Sequence, residues 1–187
     1  MKKLLASILC TIFAVSSSFA LTIIPRVGFD IPSTMNNEKE PDQETKLGFV
    51  IGVEARGEIS NYFGWGAGAE YLVPRGFVND SDDNDFSFLP VYASLRFYPL
   101  GAWDKVRPYI KVNAGYSVIA SSQGDEDMKG GVYTAIGLGT QYQKFIVEVM
   151  ASIYDGEYDD IGISYQKIGI TLGYKFNISF SKQTSEE

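Results

Sequence analysis

Residues 47–57 read Leu47-Gly48-Phe49-Val50-Ile51-Gly52-Val53-Glu54-Ala55-Arg56-Gly57. One parity of this stretch, Leu47, Phe49, Ile51, Val53 and Ala55, is wholly apolar. The other carries glycines and two charges, Glu54 and Arg56. A β-strand sends alternate side chains to opposite faces, so the stretch predicts a strand with one apolar face and one small or charged face. A helix would lose about 1 kcal/mol at each interior glycine.

The same two-faced pattern recurs in both directions, eight times in all. The apolar parities are Ile23, Val27, Phe29 and Ile31; the set above; Phe63, Trp65, Ala67, Ala69, Tyr71 and Val73; and Leu89, Val91, Ala93, Leu95 and Phe97. They continue with Ile110, Val112, Ala114, Tyr116 and Val118; Val132, Ile136, Leu138 and Tyr142; Phe145, Val147, Val149, Ala151 and Ile153; and Ile168, Ile170, Leu172, Tyr174 and Phe176. No charge falls on this parity. The opposite one holds Arg26, Asp30, Glu54, Arg56, Glu70, Arg96, Lys111, Glu148, Lys167 and Lys175, with most of the strand glycines.

Alternation alone also suits a soluble β-sandwich or a lipocalin-like barrel. Against those readings stand the segment lengths, which reach the roughly ten residues a tilted strand needs to cross a bilayer. The glycines suit the crowded interior of a narrow barrel better than a solvated face. Aromatic residues also gather at segment ends: Tyr62, Phe63, Phe97, Tyr98, Tyr109, Tyr142 and Phe145 at one set, and Phe29, Phe49, Tyr71, Tyr116, Tyr154 and Tyr165 towards the other. Girdles of this kind belong at membrane interfaces. The predicted fold is all-β, an eight-stranded antiparallel transmembrane up-and-down barrel.

The chain divides into three. Residues 1–20 read as a cleaved signal peptide: Lys2 and Lys3, the apolar run Leu4 to Val15, then Ser18-Phe19-Ala20 as the small-x-small cleavage site. That run is too short for a membrane-spanning helix, which takes about 20 residues. Residues 21–180 form the barrel, and 181–187 a polar C-terminal tail. The only cysteine, Cys10, lies in the signal, so the remainder can make neither disulfides nor thiolate sites. Without residues 1–20 the chain has 14 basic and 23 acidic residues, a net charge of −9. That sign opposes binding to nucleic acid, whose phosphates need clustered Lys and Arg. There is no histidine, so proton transfer near neutral pH would need displaced carboxylates, Tyr or Lys.

The connections alternate in length. Those at 58–61 and 143–144 are tight, and 99–107 is compact, whereas those near 32–46, 75–86, 120–130 and 155–160 are mostly longer and polar. Short turns at one end and long loops at the other is the asymmetry of outer-membrane barrels. Fifteen of the 23 acidic residues lie in the longer connections, among them Glu38, Asp42, Asp83, Asp125, Asp127, Asp159 and Asp160. They solvate an exposed rim or, alternatively, bind calcium or magnesium and bridge the protein to lipopolysaccharide phosphates. Within them Asp80-x-Asp82-x-Asn84 copies the opening of a calcium loop, with Asp85 in place of the usual glycine and Val91 in place of the bidentate Glu. Asp80, Asp82 and Asn84 are the candidate metal ligands; no catalytic or cofactor-binding residue is assigned.

The inward charges must pair with one another or hold water. Glu54, Glu70 and Glu148 are expected to neutralise Arg56, Arg96 and Lys111, making a polar plug, with an ion path as the alternative.

The stretches PVYASLRFYPLG, RPYIKVNAGYS, GGVYTAIGLGTQY and KIGITLGYKF resemble the small bacterial outer-membrane β-barrel proteins of the OmpX/OmpA-like type, over essentially the whole of residues 21–180. The segment ending at Phe176 is similar to the terminal signal read by outer-membrane assembly machinery, but here the chain continues through Phe180 into the polar tail. The resemblance implies an outer-membrane location and a monomer in contact with membrane lipid and lipopolysaccharide. The enzymes known on such barrels depend on a histidine, so it points to the non-enzymatic members. These act in adhesion, envelope integrity or resistance to host defence, with host or surface ligands as partners, or pass small solutes in porin-like fashion. Three readings follow: a non-enzymatic envelope or surface-interaction barrel; a narrow pore for small solutes or hydrophobic molecules; and a soluble periplasmic ligand-binding barrel.

Overall fold

The computed structural model describes residues 21–31, 34–37, 40–44, 46–74, 86–101, 105–121, 128–158 and 161–178. Eight long strands form the wall: β1 (Leu21–Asp30), β4 (Gly48–Glu58), β5 (Phe63–Leu72), β6 (Phe86–Phe97), β7 (Val106–Ser121), β8 (Met128–Tyr142), β9 (Phe145–Tyr158) and β10 (Ile161–Tyr174). Each pairs antiparallel with its neighbour in the chain, and β1 pairs with both β4 and β10, closing the barrel. Closure leaves the wall strands without free edges, the condition for a sheet to sit in lipid. All eight predicted segments are strands, and the signal, the tail and Phe180 lie outside the described residues.

The seam between β1 and β10 is the shortest junction, running from Arg26 opposite Gly173 to Asp30 opposite Gly169. Two short pieces extend it. Beyond Asp30 the strand β2 (Thr34–Asn37) pairs with β10 and, antiparallel, with β3 (Glu40–Glu44). At the other end β11 (Phe176–Ile178) pairs with Leu21 to Ile23. The last predicted segment therefore breaks at Lys175, whose N–H donates to the Lys144 carbonyl at 2.8 Å.

The tight turns are as expected. Ile59 N–H donates to the Phe63 carbonyl at 2.9 Å, and Gln143 takes φ 54° in the two-residue turn before Phe145. In the compact link Gly101 adopts φ 62°, a region where a side chain would be strained. The long connections are shorter than predicted. Residues 32–46 contain the β2–β3 hairpin, and β7, β8 and β9 run into the stretches read as loops. The backbone ladder continues there although the apolar alternation that marks a strand in sequence has stopped.

The outward face is the apolar parity. Leu138 is 65% exposed, Phe145 60% and Ile136 58%, with Ile51, Val91, Val132 and Leu172 also exposed. A belt of this composition is stable against hydrocarbon and a poor surface in water. Part of the aromatic reading needs correction. Phe29, Phe49, Tyr62, Phe63, Tyr71, Phe97, Tyr116, Tyr142 and Phe145 do face outward, but Tyr98, Tyr109, Tyr154 and Tyr165 are buried inside. Each of these four adjoins an outward-facing residue in its own strand or strand end, so the pleat turns it into the lumen.

Candidate functional site

The lumen is built in layers. At the end carrying the tight turns, Ile24, Tyr98, Tyr109 and Ile146 form a buried apolar cluster. Towards the opposite end a larger one contains Val50, Leu72, Phe88, Tyr92, Tyr133, Met150, Tyr154 and Tyr165. Within it Phe88 stacks on Tyr165 with centroids 5.4 Å apart, and Tyr154 lies 4.9 Å from Tyr133. Between the two clusters sits a belt of buried charge. One strand carries the whole sequence of layers: along β9 the inward residues are Ile146, Glu148, Met150, Ser152 and Tyr154, apolar at both ends with the charge between.

Glu54 is fully buried and receives four cations. Its Oε1 accepts from Arg56 Nε at 2.5 Å and Arg96 Nη1 at 2.6 Å, and its Oε2 from Arg26 Nη1 at 2.8 Å and Lys111 Nζ at 2.5 Å. Glu148, also fully buried, accepts from Arg56 Nη2 at 2.5 Å, Lys111 Nζ at 3.0 Å, the Tyr109 hydroxyl at 2.5 Å and Arg26 Nη2. Glu70 lies 3.3 Å from Arg26 Nη1 and 3.0 Å from the Tyr92 hydroxyl, which also accepts from Arg26 at 2.9 Å. Glu54 and Glu148 keep their charge inside a narrow barrel because both oxygens of each are opposed by donors.

The predicted pairing holds for Glu54 and Glu148 and needs revising for Glu70. Arg26, left out of that pairing, is the residue that touches all three carboxylates. Asp30 and Lys167 make a separate pair at 2.8 Å, towards the larger aromatic cluster. All of these except Lys175, which is half-buried, are buried as the parity requires.

The register explains how a narrow barrel holds so many large groups. Arg26 stands opposite Gly52, Glu54 opposite Gly68, Arg56 opposite Gly66 and Lys111 opposite Gly137. At Gly68 a Cβ would come within 2.8 Å of the Tyr92 ring and hydroxyl. The lumen glycines are thus the space into which their neighbours' side chains fit.

Two depressions flank the belt. One, of about 680 Å³, is a groove bordered chiefly by outward-facing residues, among them Val112, Thr134, Ile136, Ala151, Ile153 and Ile168. The other, of about 190 Å³, is a cup at the turn end of the lumen, lined by Thr22, Arg56, Gly57, Glu58, Arg96, Tyr98, Gln141 and Lys175. Among the described residues no group of acidic, Cys or His side chains could hold a metal ion. The candidate ligands Asp80, Asp82 and Asn84 lie outside the described residues.

No protein-family model matches the chain, and no curated protein sequence matches it significantly. Solved structures do resemble it. Neisserial surface protein A aligns with a TM-score of 0.58 at 12% identity, over 83% of this chain and 97% of that one. The outer membrane protein OprG from Pseudomonas aeruginosa aligns at 0.51 and 17%, over 86% and 98%. Ail, the attachment invasion locus protein of Yersinia pestis, aligns at 0.50 and 21%, over 84% and 99%. The chain has the fold of these small outer-membrane barrels, closed, antiparallel and eight-stranded.

Proposed function

We propose that this chain is an integral outer-membrane barrel without catalytic activity, which stabilises the envelope and presents its longer, acidic connections for surface interaction. The observation that carries the reading is the layered lumen: a buried ion-pair belt sealed above and below by apolar clusters. A lumen built in this way is a plug, because a conducting path needs a continuous file of water. The outward belt argues for lipid around the wall and against a soluble ligand-binding barrel. With no histidine in the chain and no unengaged carboxylate in the belt, nothing there is poised for acid–base work.

Orientation follows from the connections: tight turns towards the periplasm, acidic connections outward, where lipopolysaccharide, divalent cations and surface ligands would be met. Ail carries attachment in its name and Neisserial surface protein A a surface location, which agrees with this reading. Two measurements test it. On fractionation the protein should sediment with the outer membrane and migrate differently on gels before and after boiling; recovery in the soluble fraction without a shift refutes the location. In planar bilayers it should show no stable conductance, and a large steady conductance refutes the plug.

A further inference from the structure

We infer that the cup at the turn end of the lumen is a binding site for a small free oxyanion of the phosphate or carboxylate class, held by Lys175, Arg56 and Arg96. The first ground is charge. The belt above the cup contains Arg26, Arg56, Arg96 and Lys111 against Glu54, Glu70 and Glu148, leaving one positive charge in surplus. Lys175 adds a second, and among the described residues it has no ion-pair partner. The one acid of the lining, Glu58, is engaged by Arg107 Nη1 at 2.5 Å, a pair that leaves the surplus unchanged. The Asp30–Lys167 pair is likewise neutral and belongs to the far side of the lumen. A positive surplus in a barrel mouth is costly unless an anion answers it, and it stands out in a chain whose formal net charge is −7.

The second ground is unspent hydrogen-bonding capacity. Arg96 is 1% exposed, and its Nε, buried, finds no acceptor. Arg56 spends Nε and Nη2 on the two carboxylates, while its Nη1 reaches only the Tyr109 hydroxyl at 3.4 Å. Gln141 adds a neutral amide donor to the rim, whereas the Thr22 hydroxyl donates to Asn177 Oδ1 at 3.3 Å. The third ground is size: 190 Å³ equals the liquid volume of about six waters, room for a phosphate-sized ion and part of its hydration. The strands wall the cup off from lipid, so the ligand is a free ion and not a headgroup.

The site's placement in the periplasm rests on the membrane reading, whereas anion binding itself can be measured in any medium that keeps the barrel folded. Inorganic phosphate is titrated calorimetrically into the folded barrel in nanodiscs, at about 0.15 M sodium chloride to screen non-specific attraction. Saturable binding is expected with a Kd of about 1 mM or tighter, weakened about tenfold or more by Lys175→Glu and within about threefold of the parent for Lys175→Arg. Gln141→Glu, which adds an acid to the rim on β8, one strand removed from β10, should weaken it as well. Absence of saturable binding, or an affinity indifferent to both Lys175→Glu and Gln141→Glu, overturns the proposal. Equal affinity in zwitterionic and anionic nanodiscs supports a free ion; loss of phosphate binding in anionic discs overturns it in favour of a lipid headgroup.

Discussion

Replacing Glu54 by Gln is the sharpest test of the belt. The substitution keeps shape and one acceptor oxygen while removing the charge that four cations share. Four buried bases then face two acids, and the surplus positive charge in the belt doubles. Removing one partner of a buried ion pair costs about 3–5 kcal/mol, mostly because the remaining charge is left uncompensated. Glu58→Gln, in an ion pair whose carboxylate side chain is 51% exposed, should cost only about 0–1 kcal/mol. The two variants are compared by urea unfolding in phospholipid bilayers, following the fluorescence of the two tryptophans, Trp65 and Trp103. A third variant, Glu54→Gln with Lys111→Met, returns the surplus to one positive charge. Its cost should fall short of the sum of the single changes by about 1 kcal/mol or more. An effect of Glu54→Gln below about 1 kcal/mol, or strict additivity in the double variant, would refute the claim that the belt is one coupled electrostatic unit.

Other expectations come from single positions. Ile136→Arg, on the outward belt, should destabilise the barrel in bilayers by about 2–4 kcal/mol, and a negligible effect would argue that water and not lipid surrounds it. Gly68→Val should cost about 1–3 kcal/mol in the same urea assay, since its Cβ collides with Tyr92 at 2.8 Å; an unchanged midpoint would mean that the lumen has slack. Ser117 is fully buried and its hydroxyl has no hydrogen-bond partner, so Ser117→Ala should be neutral or stabilising by up to about 1 kcal/mol. A clear loss of stability there would reveal a bound water bridging the hydroxyl to the wall.

Most of the wall was legible because a barrel strand repeats one simple rule. Every position of the apolar parity from Ile23 to Phe176 could be assigned to a face by counting in twos, and counting placed nine of the ten inward charges where they are buried. What the count missed lies where the rule changes. Beyond the bilayer both faces of a strand can be polar, so the outer parts of β7, β8 and β9 and the β2–β3 hairpin carry no alternation to read. The four misassigned aromatics show the converse. Tyr98 and Tyr109 stand at strand ends like girdle residues, and only parity, applied one residue at a time, separates them from Phe97 and Ile110.

The belt was legible as an inventory and illegible as a network, for a geometric reason. Which inward charges meet depends on the stagger between strands, and that stagger is set by pairings far apart in the chain: Arg26 reaches Glu148 across 122 positions. Arg26 also lacks any neighbouring acid in its own strand to advertise its role, whereas Glu54 and Arg56 are two residues apart and visibly a pair. The apolar clusters were written in the inward parity all along, as in β9, where Ile146 and Tyr154 bracket Glu148. Recognising that bracket changes the functional weighing. Inward charges alone fit an ion path as well as a plug. Charges bounded at both ends by buried Ile, Phe and Tyr favour a plug over an ion path, which moves the search for activity away from the barrel's axis to its two ends.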